Sequence, residues 1–67
     1  MTPQEIREVF SNSFSYDDFM SQWLCDKLFV SISDIDTELY CLNDEEVEEL
    51  YTDYLVDEHR FKGKNDS

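Results

Sequence analysis

The sequence predicts a small all-α fold: three main helices, over residues 3–13, 16–32 and 44–61, with a short helical turn or loop at 33–42. Three observations predict it. The first and last segments carry apolar residues at three- and four-residue spacing. Both open on residues suited to cap a helix. The one stretch with strand-like alternation lacks the Gly or Asn-Gly chemistry that a hairpin turn needs.

Thr2-Pro3-Gln4-Glu5 is a helix start. Thr2 can cap, Pro3 suits the first helical position, and Glu5 closes a capping box while facing the positive end of the dipole. Ile6, Val9, Phe10 and Phe14 follow as an apolar stripe. Ser11-Asn12-Ser13 weakens the helix, and Ser15, with Asp18 three residues on, offers a second cap. From Tyr16 the second helix should turn Phe19, Met20, Trp23, Leu24 and Leu28 inward and Asp17, Asp18, Gln22 and Asp26 outward.

Residues 28–42 are the most ambiguous. Leu28 to Ser33 alternates like a strand and Glu38 to Leu42 could pair with it, yet a lone two-stranded ribbon is marginal. A second helix reaching Ile32, then a short helical turn started by Ser33 or Asp34, is preferred. The third helix is the clearest. Asn43 caps it, Asp44, Glu45 and Glu46 occupy its first turn, and His59, Arg60 and Lys62 its last. Val47, Leu50, Tyr51, Tyr54, Leu55 and Phe61 should form its apolar face, with Glu48, Glu49, Asp53 and Asp57 opposite. Gly63 is placed to end it, giving one helical domain over 1–63 and a frayed tail over 64–67.

The chain has 67 residues, and a domain of that size buries only about 60% of its unfolded surface, so its core is marginal. Two cysteines, Cys25 and Cys41, are too few for a disulfide scaffold. The first apolar run is broken by Glu8 and Ser11-Asn12-Ser13, so it reads as no signal peptide, and no stretch approaches the roughly 20 residues of a membrane span. A cytoplasmic protein with reduced thiols is expected. Ten aromatic residues are more than three helices can easily hide: an aromatic-rich core accounts for most of them, or some form a dimer or partner interface, and both can hold for different residues.

Charge sets the class of partner. Between Leu28 and His59 there are eleven acidic side chains and no lysine or arginine, and the net charge is −12. Polyanions are repelled and basic protein surfaces attracted. Direct nucleic-acid binding is disfavoured, since phosphate contacts need cations that the chain lacks. His59 is the only histidine, its place at a helix end is explained by the dipole, and no Gly-rich turn offers an oxyanion or phosphate cradle. A non-enzymatic protein without a cofactor is expected. Asp34, Asp36, Glu38 and Glu45 fall at positions 1, 3, 5 and 12 of a calcium-loop register, but Leu39 stands where that loop needs Gly. Cys25, Cys41 and His59 show no paired-ligand spacing for zinc. No metal is expected.

The acidic third helix is therefore the candidate site, with Asp44, Glu45, Glu48, Glu49, Tyr51 and Asp53 as partner-binding residues. Three roles fit. The carboxylates could rim an apolar docking patch for a regulatory protein with a basic surface. They could imitate DNA phosphates and block a nucleic-acid-binding protein. They could simply keep a small accessory protein soluble, although a face built for solubility usually mixes signs. Val47, Leu50, Tyr54 and Phe61 approximate a seven-residue repeat, and a homodimer through that seam, acids outward, is expected.

In size, in its Thr2-Pro3-Gln4-Glu5 start and in its acidic, aromatic-rich composition, the chain resembles the short helical proteins encoded in the early regions of lambdoid temperate bacteriophages. That resemblance implies a non-enzymatic modulator of host physiology or of the lysis–lysogeny choice, acting in the host cytoplasm by binding a bacterial protein. Locally, Leu42-Asn43-Asp44-Glu45-Glu46, Leu50-Tyr51 and Asp57-Glu58-His59-Arg60 are similar to the Hha-type nucleoid modulators, small helical proteins that bind a nucleoid-structuring partner. The chain departs from them in lacking their basic residues in the preceding helix.

Overall fold

In the computed structural model, which describes residues 1–65, the chain forms helices α1 (Pro3–Ser13), α2 (Asp18–Leu28), α3 (Ile35–Cys41) and α4 (Asp44–Asn65), with a 3₁₀ turn at Ile32–Asp34 leading into α3. No strand occurs among the described residues. The all-α reading holds, with a two-turn helix where a short helical turn or loop was expected.

The caps explain the starts. At α1 the Glu5 amide donates to Thr2 Oγ1 and the Thr2 amide donates to Glu5 Oε1, both at 3.2 Å, so two amides without helical partners are satisfied reciprocally. The hydrogen bond from the Thr2 backbone also holds the Glu5 carboxyl below its ordinary pKa. At α2 the cap is Asp17, accepting from the Met20 amide at 3.1 Å, and not Ser15. A carboxylate meets the positive helix end better than a hydroxyl. The helix thus starts at Asp18 and leaves Tyr16 outside, 90% exposed. At α4 Asn43 Oδ1 accepts from the Glu46 amide at 2.8 Å while its Nδ2 donates to Glu46 Oε1 at 3.0 Å.

The ends differ more from expectation. α2 stops at Leu28, four residues before Ile32, because Phe29 turns left-handed (φ 57°, ψ 44°) and both Phe29 and Val30 donate back to the Cys25 carbonyl. That is a glycine-type termination made by an aromatic residue. Val30, Ser31 and Ile32 are poor helix formers, and stopping early brings Ile35 and Leu39, four residues apart, to full burial on α3. α4 runs past Gly63 to Asn65, and Gly63 has no positive φ. A helical glycine there costs about 1 kcal/mol relative to alanine. The expected tail is thus helical at 64–65, and its last positions, 66 and 67, lie outside the described residues.

Ile6 and Phe10 of α1, Met20, Trp23 and Leu24 of α2, Ile35 and Leu39 of α3, and Val47, Leu50 and Tyr54 of α4 form the core. Phe10 is its centre, with the rings of Tyr51 and Tyr54 edge-on at 5.8 and 5.5 Å and Trp23 stacked at 6.5 Å. Three of the ten aromatics are buried, while Tyr16, Phe29, Tyr40 and Phe61 are exposed. Val47, Leu50 and Tyr54, the expected dimer seam, are consumed by this core, so they offer no surface to a second chain. Phe61 from that seam instead stacks on Phe19 at 4.5 Å. Leu55, expected inside, is 45% exposed. It follows Tyr54 by a single residue, about 100° around the helix, and α4 packs chiefly on α1, so only a narrow stripe is covered.

One buried charge fixes the corner between α3 and α4. Arg7 Nε donates to the Leu39 carbonyl at 3.1 Å, and its Nη2 donates to the Leu42 carbonyl at 2.7 Å and to Asp44 Oδ1 at 3.2 Å. The guanidinium satisfies carbonyls at the C-terminal end of α3, where intrahelical donors run out, and neutralises the first acid of α4. Ser11 adds a second tie from α1 to α3, its hydroxyl donating to Asp36 at 2.7 Å.

Candidate protein-docking face

The buried stripe of α4 determines where its acids point. With Val47, Leu50 and Tyr54 against α1, residues 45, 48, 49, 52 and 53 fall on the opposite side, and all five are exposed. Glu45, Glu48, Glu49, Thr52 and Asp53 line a shallow groove of about 550 Å³. All of its lining comes from one helix, with no opposing wall, so it can meet a surface but cannot enclose a small molecule. Among the described residues none of its four carboxylates forms an ion pair.

Of the six predicted residues, the structure brings four together: Glu45, Glu48, Glu49 and Asp53. It separates the other two. Asp44 belongs to the Arg7 clasp, although its side chain is 75% exposed. Tyr51 is half-buried with its ring against Phe10, and so serves the core more than the surface. Asp57, expected outward with the acids, is half-buried and accepts from the Trp23 indole at 2.7 Å. Glu58 accepts from the Tyr54 hydroxyl at 2.6 Å and lies 3.6 Å from Lys62. Burial, then this hydrogen bond, raises the Tyr54 pKa above its ordinary value.

The groove continues into residues that the sequence reading did not assign to the site. Thr52 lies three and four positions before Leu55 and Val56, which are 45% and 48% exposed. An acidic strip therefore runs into an apolar pair on one side of one helix. The spacing of Glu48, Thr52 and Val56, four residues apart each time, carried that signal.

The remaining chemistry-bearing residues are dispersed. Cys25 is half-buried and Cys41 exposed, both as free thiols, and His59 is exposed at the far end of α4. Asp34 accepts from the Ser31 hydroxyl and Asp36 from that of Ser11, while Glu45 sits on α4. Among the described residues no three His, Cys, Asp or Glu side chains gather as a metal site, and no helix is long and apolar enough to cross a membrane. No protein-family model, curated protein or solved structure matches the chain.

Proposed function

We propose that this chain is a non-enzymatic regulator that docks the outward side of α4 on a protein with a basic surface, and that it does so in a bacterial cytoplasm as a phage-encoded modulator of a host or phage regulatory protein. The observation that carries the reading is the unpaired carboxylate group Glu45, Glu48, Glu49 and Asp53 leading directly into exposed Leu55 and Val56. At about 0.15 M salt the screening length is about 8 Å, so neighbouring carboxylates on adjacent turns still act as one field. That field steers a basic partner, and the apolar pair supplies burial once the surfaces meet. The continuous free acids span only residues 45–53, about 12 Å of helix, which suits a local docking site better than an extended imitation of DNA.

The test is affinity capture from bacterial lysate, with nuclease treatment, at low and raised salt, using the native chain and the E48K/E49K variant. Docking predicts a defined companion that survives nuclease, is lost with E48K/E49K and is weakened by Val56→Asp. Recovery restricted to DNA-binding proteins, released at raised salt, would point to phosphate mimicry. Equal recovery by native chain and charge-reversed variant would leave the acids with a solubilising role only.

A further inference from the structure

The outward side of α4 is not acidic throughout. Glu45, Glu48, Glu49 and Asp53 occupy its first half, and His59, Arg60 and Lys62, all exposed, its second. Leu55 and Val56 lie between the two halves. A helix face negative at one end, positive at the other and apolar in the middle is complementary to itself when turned end for end.

We infer that α4 pairs antiparallel with α4 of a second copy of this chain, about a two-fold axis near Leu55. Turning the helix about that point sets Glu49 opposite Arg60 of the second copy and Glu48 opposite its Lys62, and symmetry repeats each pair. Thr52 and Val56 meet across the axis, and Leu55 lies against its own symmetry mate at the edge of the contact. Lys62 reaches only a 3.6 Å ion pair with Glu58 in the single chain and keeps 65% of its side chain exposed, so it is free to exchange partners. The pairing differs from a seam through Val47, Leu50 and Tyr54, which the core of each chain already buries. It covers the carboxylates that the proposed docking reaction uses, so a basic partner must displace the second copy; only this last consequence rests on the docking reading.

Sedimentation equilibrium of the purified chain at about 0.15 M salt and up to about 100 µM tests the pairing. A reversible dimer is expected. E48K/E49K and R60E/K62E should each weaken it at least about tenfold, since four exposed pairs turn repulsive. The combined variant, E48K/E49K/R60E/K62E, restores complementarity and should dimerise again. Simple repulsion between chains of net charge −12 predicts the opposite sign for E48K/E49K, because that change lowers the charge. All these side chains are exposed, and circular dichroism confirms that each variant stays helical. A native chain that remains monomeric, half-reversed variants that dimerise as well as it does, or a combined variant that stays monomeric overturns the inference. A purified chain contains no other partner, so that failure leaves docking on a basic protein intact, and failed capture from lysate leaves the dimer intact.

Discussion

The indole N–H of Trp23 donates to Asp57 Oδ2 across 2.7 Å, and this bond joins α2 to α4. The Tyr54 ring stands edge-on to the same indole at 5.1 Å, and Phe19 stacks on Phe61 further along α4. An acid that looked like part of the negative surface thus holds the bundle together.

Asp57→Ala should destabilise the fold by about 1–3 kcal/mol, because it leaves the largely buried indole donor without an acceptor. Asp57→Asn keeps a carbonyl oxygen in reach and should cost less. Urea unfolding followed by Trp23 fluorescence measures both, and the native-state emission should shift in Asp57→Ala. Equal stability of Asp57→Ala and the native chain would remove the bond from the account of the core.

Arg7 and Asp44 form an ion pair whose two ends should respond very differently. Arg7 has a side chain 11% exposed and donates to two main-chain carbonyls as well as to the acid. Its replacement by alanine strands those acceptors and should cost about 3–5 kcal/mol, enough to unfold much of so small a domain. Asp44→Ala removes only a 75% exposed partner and should cost no more than about 1 kcal/mol. Arg7→Lys keeps the charge but lacks the planar fork whose separate nitrogens reach these acceptors, and should fall between. Thermal melts of the three variants give the order directly.

Where the sequence was legible, the information was local. Thr2, Pro3 and Glu5 define the start of α1, and Asn43 that of α4, within four residues each. The early stop at Phe29 was not legible, because no glycine marks it and its reason, the burial of Ile35 and Leu39, lies in tertiary packing. Arg7 was hidden for a related reason: its acceptors are main-chain carbonyls 32 and 35 residues away. Its helical spacing did carry a hint, since residues 7, 10 and 14 share a side of α1 and Arg7 is the only cation there. In α4 the acids at 45, 48, 49 and 53 were separable from the core by period alone. Asp57 and Leu55 exchanged roles because they flank the stripe, where spacing cannot say how far a neighbouring helix reaches.

Phe29 holds φ 57° and is 92% exposed, so the fold bears a left-handed backbone and gains little packing in return. A side chain other than glycine in that conformation costs about 1–2 kcal/mol. Phe29→Gly removes the strain, set against a looser unfolded chain, and should raise stability by about 0.5–1 kcal/mol. Phe29→Ala keeps the strain and should leave stability nearly unchanged. Comparing melting temperatures of these two variants separates backbone from ring. A glycine variant no more stable than the alanine variant would show that the turn carries no strain.

Tyr54 gives the fold a slope in alkali. Its hydroxyl donates to Glu58 at 2.6 Å, and burial followed by that hydrogen bond raises its pKa above the ordinary 10.0. The folded chain therefore holds the phenolic proton more tightly than the unfolded chain does. The resulting stability is fully present below pH 10.0 and is lost as pH rises through the higher folded value. Tyr54→Phe removes the titrating group, so its stability should lack this part of the decline, at a cost of about 1 kcal/mol near neutral pH for the lost hydrogen bond. Glu58→Gln keeps an acceptor but withdraws the neighbouring negative charge, which also raises the pKa, and should make the slope shallower. Urea midpoints taken from pH 8 to pH 11 distinguish the three chains, and parallel curves for native and Tyr54→Phe would place the alkaline sensitivity elsewhere.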